Sequence, residues 1–169
     1  MDESLSGPAS FNGWVFINTK TKIIMADYFT NFSIIMPLPD EAAQKYALQL
    51  EQTMSNAAQG DELPDDIPEF LRAEAECWLF ETEPADRGFG LWLHSQHGGI
   101  DAVCAFIQHL LQKFDPAGRV PFEWSHDCSK PRVDAFGGGA AIITAEEIKS
   151  ICTNQWLQEQ AVADAQAPA

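Results

Sequence analysis

Short apolar runs near the start of the chain predict β-strands. Residues 14–17, 23–25 and 32–36 are rich in β-branched and aromatic side chains, and polar links separate them. Pro37 and Pro39 follow the third run and cannot continue a hydrogen-bonded ladder. We therefore expect short strands in this region, of which the strand at residues 32–36 is the best defined.

Two segments show the spacing of apolar residues that is typical of amphipathic helices. The first begins after Asp40, a residue type preferred at helix N-caps, and ends near residues 56–60. The second follows Gly98 and Gly99 and ends at residues 115–118, where Asp, Pro and Gly occur together. Its apolar stripe consists of Ile100, Val103, Ile107, Leu110, Leu111 and Phe114.

The remaining apolar runs predict further strands. Residues 77–82 and 89–94 flank a turn-rich link of hairpin length, and residues 120–124 and 140–144 form two more strands. Residues 147–152 fit two structures: a helix that begins with a Thr-Ala-Glu-Glu capping box, or a hairpin strand with alternating side chains. The sequence leaves both open.

The order of these elements predicts the fold class. From Phe32 onward it is strand, helix, strand, strand, helix, strand, which is the split βαβ order. We expect an α+β fold with a ferredoxin-like antiparallel sheet and two helices on one face, plus extra N-terminal strands and a short C-terminal helix capped by Thr153. We also expect a flexible arm at residues 1–12, a single domain at residues 13–160 and a frayed tail at residues 161–169.

The chain is strongly acidic. It has 25 acidic and 10 basic side chains and a formal net charge of −15, which disfavours direct binding to nucleic acid because phosphate backbones require clustered Lys and Arg. Ten of the acids lie in residues 61–86, together with Arg72 as the one base, and a short amphipathic helix with Pro68 in its first turn is expected there. The candidate binding residues in this segment are Asp61, Glu62, Asp65, Asp66 and Glu69.

The cysteines and the N-terminus indicate a cytoplasmic protein. Cys77, Cys104, Cys128 and Cys152 form no C-x-x-C pair, which favours free cytosolic thiols. The first residues lack the basic and apolar regions of a signal peptide, and no apolar run approaches the ~18 residues that a membrane span needs. We expect no membrane association.

Four side chains of zinc-ligand type come from two regions of the sequence. His94 and His97 close one predicted strand, and His126 and Cys128 follow another. If those strand ends are neighbours, the four residues form a tetrahedral zinc site. A nucleophilic Cys128–His126 pair is the corresponding enzymatic hypothesis. The competing interpretation is polar loop histidines and a structural thiol, with no cofactor.

Residues 125–139 contain Cys128 and the main cluster of basic residues in the acidic chain, Lys130 and Arg132. Arg132 suits an anion or partner contact, because a guanidinium forms paired hydrogen bonds with carboxylates. An internal ion pair with the acidic segment is the alternative. The three glycines that end this region precede a predicted strand rather than a helix, which disfavours a phosphate-binding loop and favours a close backbone approach or a bulge.

One set of short motifs resembles a known family. The residues Phe122-Glu-Trp124, Cys128-Ser-Lys-Pro-Arg132 and Phe136-Gly-Gly-Gly139, with Thr144 and Trp156 beyond them, resemble an uncharacterised family of small acidic proteins associated with proteobacterial plasmids, genomic islands and phages. The resemblance covers roughly the second half of the chain and residues 31–34. It implies an accessory protein of a mobile genetic element, and it favours the hairpin interpretation of residues 147–152.

These observations together favour a binding protein without chemistry of its own. We expect it to bind a protein with a basic surface, and an acidic inhibitor of a host nucleic-acid-handling protein is the most specific form of this hypothesis. A zinc protein or a Cys/His enzyme is the first alternative, and a structural, self-associating module is the second. The sequence does not predict the oligomeric state.

Overall fold

The computed structural model describes residues 26–133 and 135–166. Their elements are β1 (Tyr28–Met36), α1 (Glu41–Ala58), α2 (Glu69–Arg72), a 3₁₀ turn (Ala75–Cys77), β2 (Glu81–Pro84), β3 (Leu91–Ser95), α3 (Ile100–Phe114), β4 (Arg119–Cys128), β5 (Gly137–Thr144), β6 (Ile148–Cys152) and α4 (Thr153–Gln166). The six strands form one antiparallel sheet in the order β2-β3-β1-β4-β5-β6. The predicted α+β class is confirmed. The expected arm at residues 1–12 and the strands expected within residues 14–25 lie outside the described residues.

Local sequence signals explain both long helices. Asp40 caps α1 as predicted, because its Oδ1 accepts a hydrogen bond of 2.8 Å from the backbone N–H of Ala43. The buried residues of α1 are Ala43, Ala47, Leu50 and Met54, which recur at helical spacing. Gly99 precedes α3 with a φ of +78°, a left-handed conformation that glycine adopts without strain.

The core lies between the helices and one face of the sheet. Phe32 and Met36 of β1, Leu91 and Leu93 of β3, and Phe122 of β4 are all buried on that face. From the helical side, the core receives the apolar residues of α3. The rings of Trp78, Phe80 and Phe106 pack with centroids 4.8 to 5.7 Å apart, in the range where aromatic pairs add to area burial.

The structure moves several predicted boundaries. The strand expected at residues 77–82 begins only at Glu81, because Trp78 and Phe80 pack into the core from irregular backbone. β4 continues to Cys128 and β5 begins at Gly137, so much of the predicted loop at residues 125–139 is strand. α4 extends to Gln166, past the point where we expected the tail to fray.

Within residues 147–152, Ile148–Cys152 form strand β6 instead of a helix, and Glu147 lies in the turn before it. Thr144 directs the outcome, because its Oγ1 accepts from the backbone N–H of Glu147 and donates to the carbonyl of the same residue, both at 3.0 Å. The Thr-Ala-Glu-Glu sequence therefore closes a tight turn between β5 and β6. Local side-chain hydrogen bonds of this kind compete with helix formation. Within the residues that the structure describes, none of the helices is long and apolar enough to cross a membrane.

Candidate functional site

The face of the sheet opposite the helices is exposed, and we call it the open face. Directly paired residues of antiparallel strands point to the same side, and successive residues alternate. The register therefore places these residues together on the open face: Ser33, Ile35, Glu81, Glu83, Trp92, His94, Glu123, Ser125, Ala140, Ile142 and Ile151. All six strands thus contribute residues to one surface, β2 through its two carboxylates.

Large apolar side chains are exposed on this face. Ile35 is 66 % exposed, Ile142 43 %, Ile151 49 % and Trp92 37 %. Ile35 lies directly opposite Trp92, and Ala140 lies opposite Ile151, so these side chains are neighbours across the strands. Contiguous exposed apolar patches on a folded domain usually mark interaction sites.

A groove of about 970 Å³ crosses the open face. Strands β1, β3, β4, β5 and β6 form its floor, and Trp156 of α4 contributes to its wall. Trp156 is 45 % exposed. The groove has the size of a ligand pocket, and the indoles of Trp92 and Trp156 both line it.

Two contacts fix the indole of Trp92 on the open face. Its Nε1 donates a hydrogen bond of 2.8 Å to Ser33 Oγ. Its ring stacks on the imidazole of His94 with centroids 4.0 Å apart and an interplanar angle of 30°. The indole is therefore held in place before any partner binds, which lowers the entropic cost of an interface.

The triple glycine positions α4 beside the groove. The Oγ1 of Thr153 accepts from the backbone N–H of Gly138 and donates to the carbonyl of Gly138, both at 3.1 Å, which anchors the first residue of α4. Gly138 has a φ of +154°, and a Cβ there would overlap the Trp124 carbonyl oxygen. A Cβ on Gly139 would overlap the Trp124 indole. The close backbone approach expected of these glycines is present.

The charges on the open face are mostly negative. Glu81 and Glu83 lie at the β2 end, and Glu123 lies in the groove. Lys149 on β6 forms an ion pair with Glu147 at 2.7 Å. A partner that covers this face therefore meets carboxylates at its β2 edge and in its groove.

The predicted cationic loop lies at the end of β4. Cys128 is buried, Lys130 is partly buried and Arg132 is exposed. The guanidinium of Arg132 donates from Nη1 to the hydroxyl of Tyr28 at 3.0 Å and lies 5.9 Å from the Tyr28 ring centroid. Among the described residues, the contact of Arg132 is thus with β1 and not with the acidic segment.

The structure does not bring the four suggested zinc ligands together. His126 accepts or donates a hydrogen bond at Nδ1 with Thr30 Oγ1, 3.0 Å away, and His97 is exposed in the loop after β3. His94 lies instead near Glu81 and Glu83, and these three are the one group of potential metal ligands within residues 26–133 and 135–166. Neither His97, His126 nor Cys128 belongs to it.

The acidic candidates lie on the helical side of the molecule. Asp61, Glu62, Asp65, Asp66 and Glu69 are all exposed, in the loop before α2 and at its start. α2 packs against α3, and Leu71 is its buried residue. These five acidic candidates therefore lie on a different surface from the open face, whereas Glu81 and Glu83, from the same acidic segment, belong to the open face.

Shifted pKa values occur in the helical layer. Burial lowers the pKa of His109, and the charge of Lys113 lowers it further. The Nε2 of His109 forms a hydrogen bond of 2.7 Å with the hydroxyl of Tyr46, whose pKa is raised by burial and by Asp66. Burial raises the pKa of Cys104 to about 12, so this thiol is a structural, unreactive one.

Sequence reasoning missed the open face. The run Leu91-Trp92-Leu93 was predicted as a strand, yet its outward residue is an indole where a half-exposed strand usually has a polar residue. Ile35 in β1 and Ile142 in β5 repeat this pattern. Apolar residues on both sides of a strand were the available signal.

Comparisons of the chain with models of protein families, with curated proteins and with solved structures returned no match.

Proposed function

We propose that this protein is a non-enzymatic accessory protein that binds another protein through the open face of its sheet. One observation carries the proposal: Ile35, Trp92, Ile142 and Ile151 are exposed on the same face of the sheet, opposite α1 and α3, and Trp92, Ile151 and Trp156 line the groove on that face. Aromatic residues beside a groove are the usual anchors of protein interfaces.

The proposed partner has a basic surface. The chain has a net charge of −15, and on the open face Glu81 and Glu83 lie on edge strand β2 while Glu123 lies in the groove. A basic surface is attracted to these carboxylates and is oriented by them. Proteins that handle nucleic acid present such surfaces, so inhibition of a host nucleic-acid-handling protein by a mobile-element protein in the cytoplasm is the biological role that we propose.

Nucleic acid is a poorer occupant of this face. Single strands bind to sheets through exposed aromatic rings combined with a positively charged groove. The aromatic rings are present, but Glu123 lies in the groove and Glu81 and Glu83 lie beside it. Repulsion between these carboxylates and phosphates favours a protein partner.

The fold that we infer for this function is ferredoxin-like. β2-β3-β1-β4 is the strand order of a split βαβ unit, and α1 and α3 are its two crossover helices. β5 and β6 would then be an addition that widens the open face and carries α4. This interpretation supports a platform role, because α1 and α3 lie on the other side of the sheet.

The test uses partners captured from host lysate by the immobilised protein. Each candidate is purified and titrated with wild type, with Glu123→Lys on the open face and with Asp66→Lys on the acidic segment, at low and high salt. We expect Glu123→Lys to weaken binding at least about tenfold, Asp66→Lys to change it less than about twofold, and high salt to weaken wild-type binding.

Three results would contradict the proposal. Equal effects of both charge reversals would show that the open face is not the contact. Affinity that is independent of salt would show that the carboxylates of the open face do not contribute to binding. A discrete oligomer in light scattering with no captured partner would favour a self-associating module instead, for which β6 is a candidate because it lies at the edge of the sheet.

A further inference from the structure

Three potential metal ligands converge at the β2 end of the open face. Glu81 and Glu83 are two residues apart on β2 and therefore share a side, and Glu81 lies directly opposite His94 of β3. One ligand atom from each residue lies within 4.8 Å of the others. The group contains a nitrogen and two carboxylate oxygens, a donor set that suits Zn²⁺.

The imidazole of His94 provides a second, independent observation. Its Nε2 is inaccessible to solvent and has no hydrogen-bond partner among residues 26–133 and 135–166. The Oε1 of Glu83 is 3.8 Å from it, which is too far for a hydrogen bond. Buried polar atoms without a partner are rare in folded proteins, because the lost hydration is not replaced.

Neighbouring groups hold this nitrogen in place. The indole of Trp92 stacks on the imidazole at 4.0 Å, and Trp92 is itself tied to Ser33 by a hydrogen bond. The stack therefore fixes the plane of the imidazole beside the two carboxylates. The carboxylates are different, because Glu81 and Glu83 are exposed and can rotate.

The distance between His94 and Glu83 is close to that of an occupied site. Zinc bonds of about 2.0 to 2.2 Å in a tetrahedral arrangement place two ligand atoms about 3.4 Å apart. The Nε2–Oε1 distance of 3.8 Å exceeds this by a few tenths of an ångström, which a small rotation of Glu83 corrects. A divalent cation would also offset the repulsion between the two carboxylates.

We propose that Glu81, Glu83 and His94 bind one Zn²⁺ ion, with water in the fourth position. The ion joins β2, an edge strand of four residues, to β3 and occupies the rim of the groove. This site uses one histidine of the zinc hypothesis drawn from the sequence and replaces the other three ligands. The observations behind this site do not depend on the protein-binding function; a bound ion would neutralise Glu81 and Glu83 and leave Glu123 to attract a basic partner.

The test is calorimetric titration of Zn²⁺ into untagged, full-length protein that has been stripped with a chelator. We expect wild type to bind one equivalent saturably. His94→Gln and Glu83→Gln should each weaken binding at least about tenfold, since a lost ligand costs no less than a lost outer-sphere partner. The matched controls His97→Gln and His126→Gln should bind like wild type.

A second measurement does not depend on the folding of the His94 variant. Co²⁺ bound at His94 would quench the fluorescence of Trp92, and Trp92→Phe should remove most of that quenching. Glu83 is exposed, so Glu83→Gln tests the site without disturbing the core. The proposal is overturned if wild type shows no saturable Zn²⁺ binding, if Glu83→Gln binds like wild type, or if His97→Gln or His126→Gln abolishes binding.

Discussion

Gly139→Ala tests how the triple glycine supports the groove. A Cβ at this position would overlap Cζ2 of Trp124 and lie 2.5 Å from the carbonyl oxygen of Ile151, whereas ordinary contacts exceed 3.4 Å. Either the indole must leave its place or strands β5 and β6 must shift. The two responses have different costs, and the smaller one sets the expected loss of stability.

The burial of Trp124 decides between them. The residue is 8 % exposed, so expelling an indole that buries roughly 150–250 Å² would cost about 4–6 kcal/mol at about 25 cal/mol per Å². A backbone shift in an overpacked site costs about 1–3 kcal/mol. We therefore expect Gly139→Ala to lower the free energy of unfolding by about 1–3 kcal/mol, which is a fall in Tm of roughly 2–12 °C for a domain of this size.

The measurement is urea and thermal unfolding followed by circular dichroism. Gly137→Ala is the matched control, because its Cβ would be 3.2 Å from the side-chain oxygen of Thr153, and we expect it to cost less than about 1 kcal/mol. Trp124→Phe should reduce the cost of Gly139→Ala, since it removes the overlapping part of the indole. The packing argument is wrong if Gly139→Ala is as stable as Gly137→Ala, or if the double variant shows no coupling beyond about 0.5 kcal/mol.

Two further predictions concern pH. Burial raises the pKa of Glu51; a hydrogen bond from the Trp78 indole lowers it in part, and the charge of Glu81 raises it further. As pH rises, the unfolded chain therefore loses this proton before the folded protein does. The free energy of unfolding consequently falls as pH rises above about 4.5. Glu51→Gln should therefore raise Tm at pH 7 but not below pH 4.5. Burial and the charge of Lys113 lower the pKa of His109, so the unfolded chain takes up a proton first and stability falls as pH drops below about 6.5. His109→Gln should remove this part of the acid loss of stability. The measurement is the Tm difference between the variant and wild type from pH 5 to 7.5.

Matched variants control both pH experiments. Glu41→Gln is the same change in the first turn of α1, where Glu41 is exposed, and it should not raise Tm at pH 7. His97→Gln changes an exposed histidine and should follow wild type across the range. A gain from Glu51→Gln that persists unchanged at pH 4, or an acid loss that His109→Gln leaves intact, would contradict the assigned causes.

The helices and the central strands were predictable because their signals are local. Asp40 and the apolar spacing that follows it define α1, and Gly99 with the stripe after it defines α3. The boundaries of β2 and β4 were not predictable in this way. The apolar residues Trp78 and Phe80 suggested a strand, but they pack into the core from irregular backbone. The polar end of β4 forms a strand because it pairs with β1 and β5.

Most residues of the candidate site could not be predicted from the sequence. The region at residues 125–139 drew attention because Cys128, Lys130 and Arg132 are close together in the chain. The structure makes both ends of that region strand, residues 125–128 and 137–139, and assigns its glycines to the packing of Trp124 and the anchoring of α4. The open face combines residues that are up to about 120 positions apart, and only the strand register brings them together.

The most direct test of the open face compares two neighbouring residues of α4. Trp156 lines the groove, and Leu157 is 58 % exposed without lining it. For a captured partner, we predict that Trp156→Ala raises the dissociation constant roughly 30-fold or more, which corresponds to a hot-spot loss of about 2 kcal/mol, while Leu157→Ala leaves it within about threefold. Equal dissociation constants for wild type and Trp156→Ala would contradict the central claim that this face binds the partner.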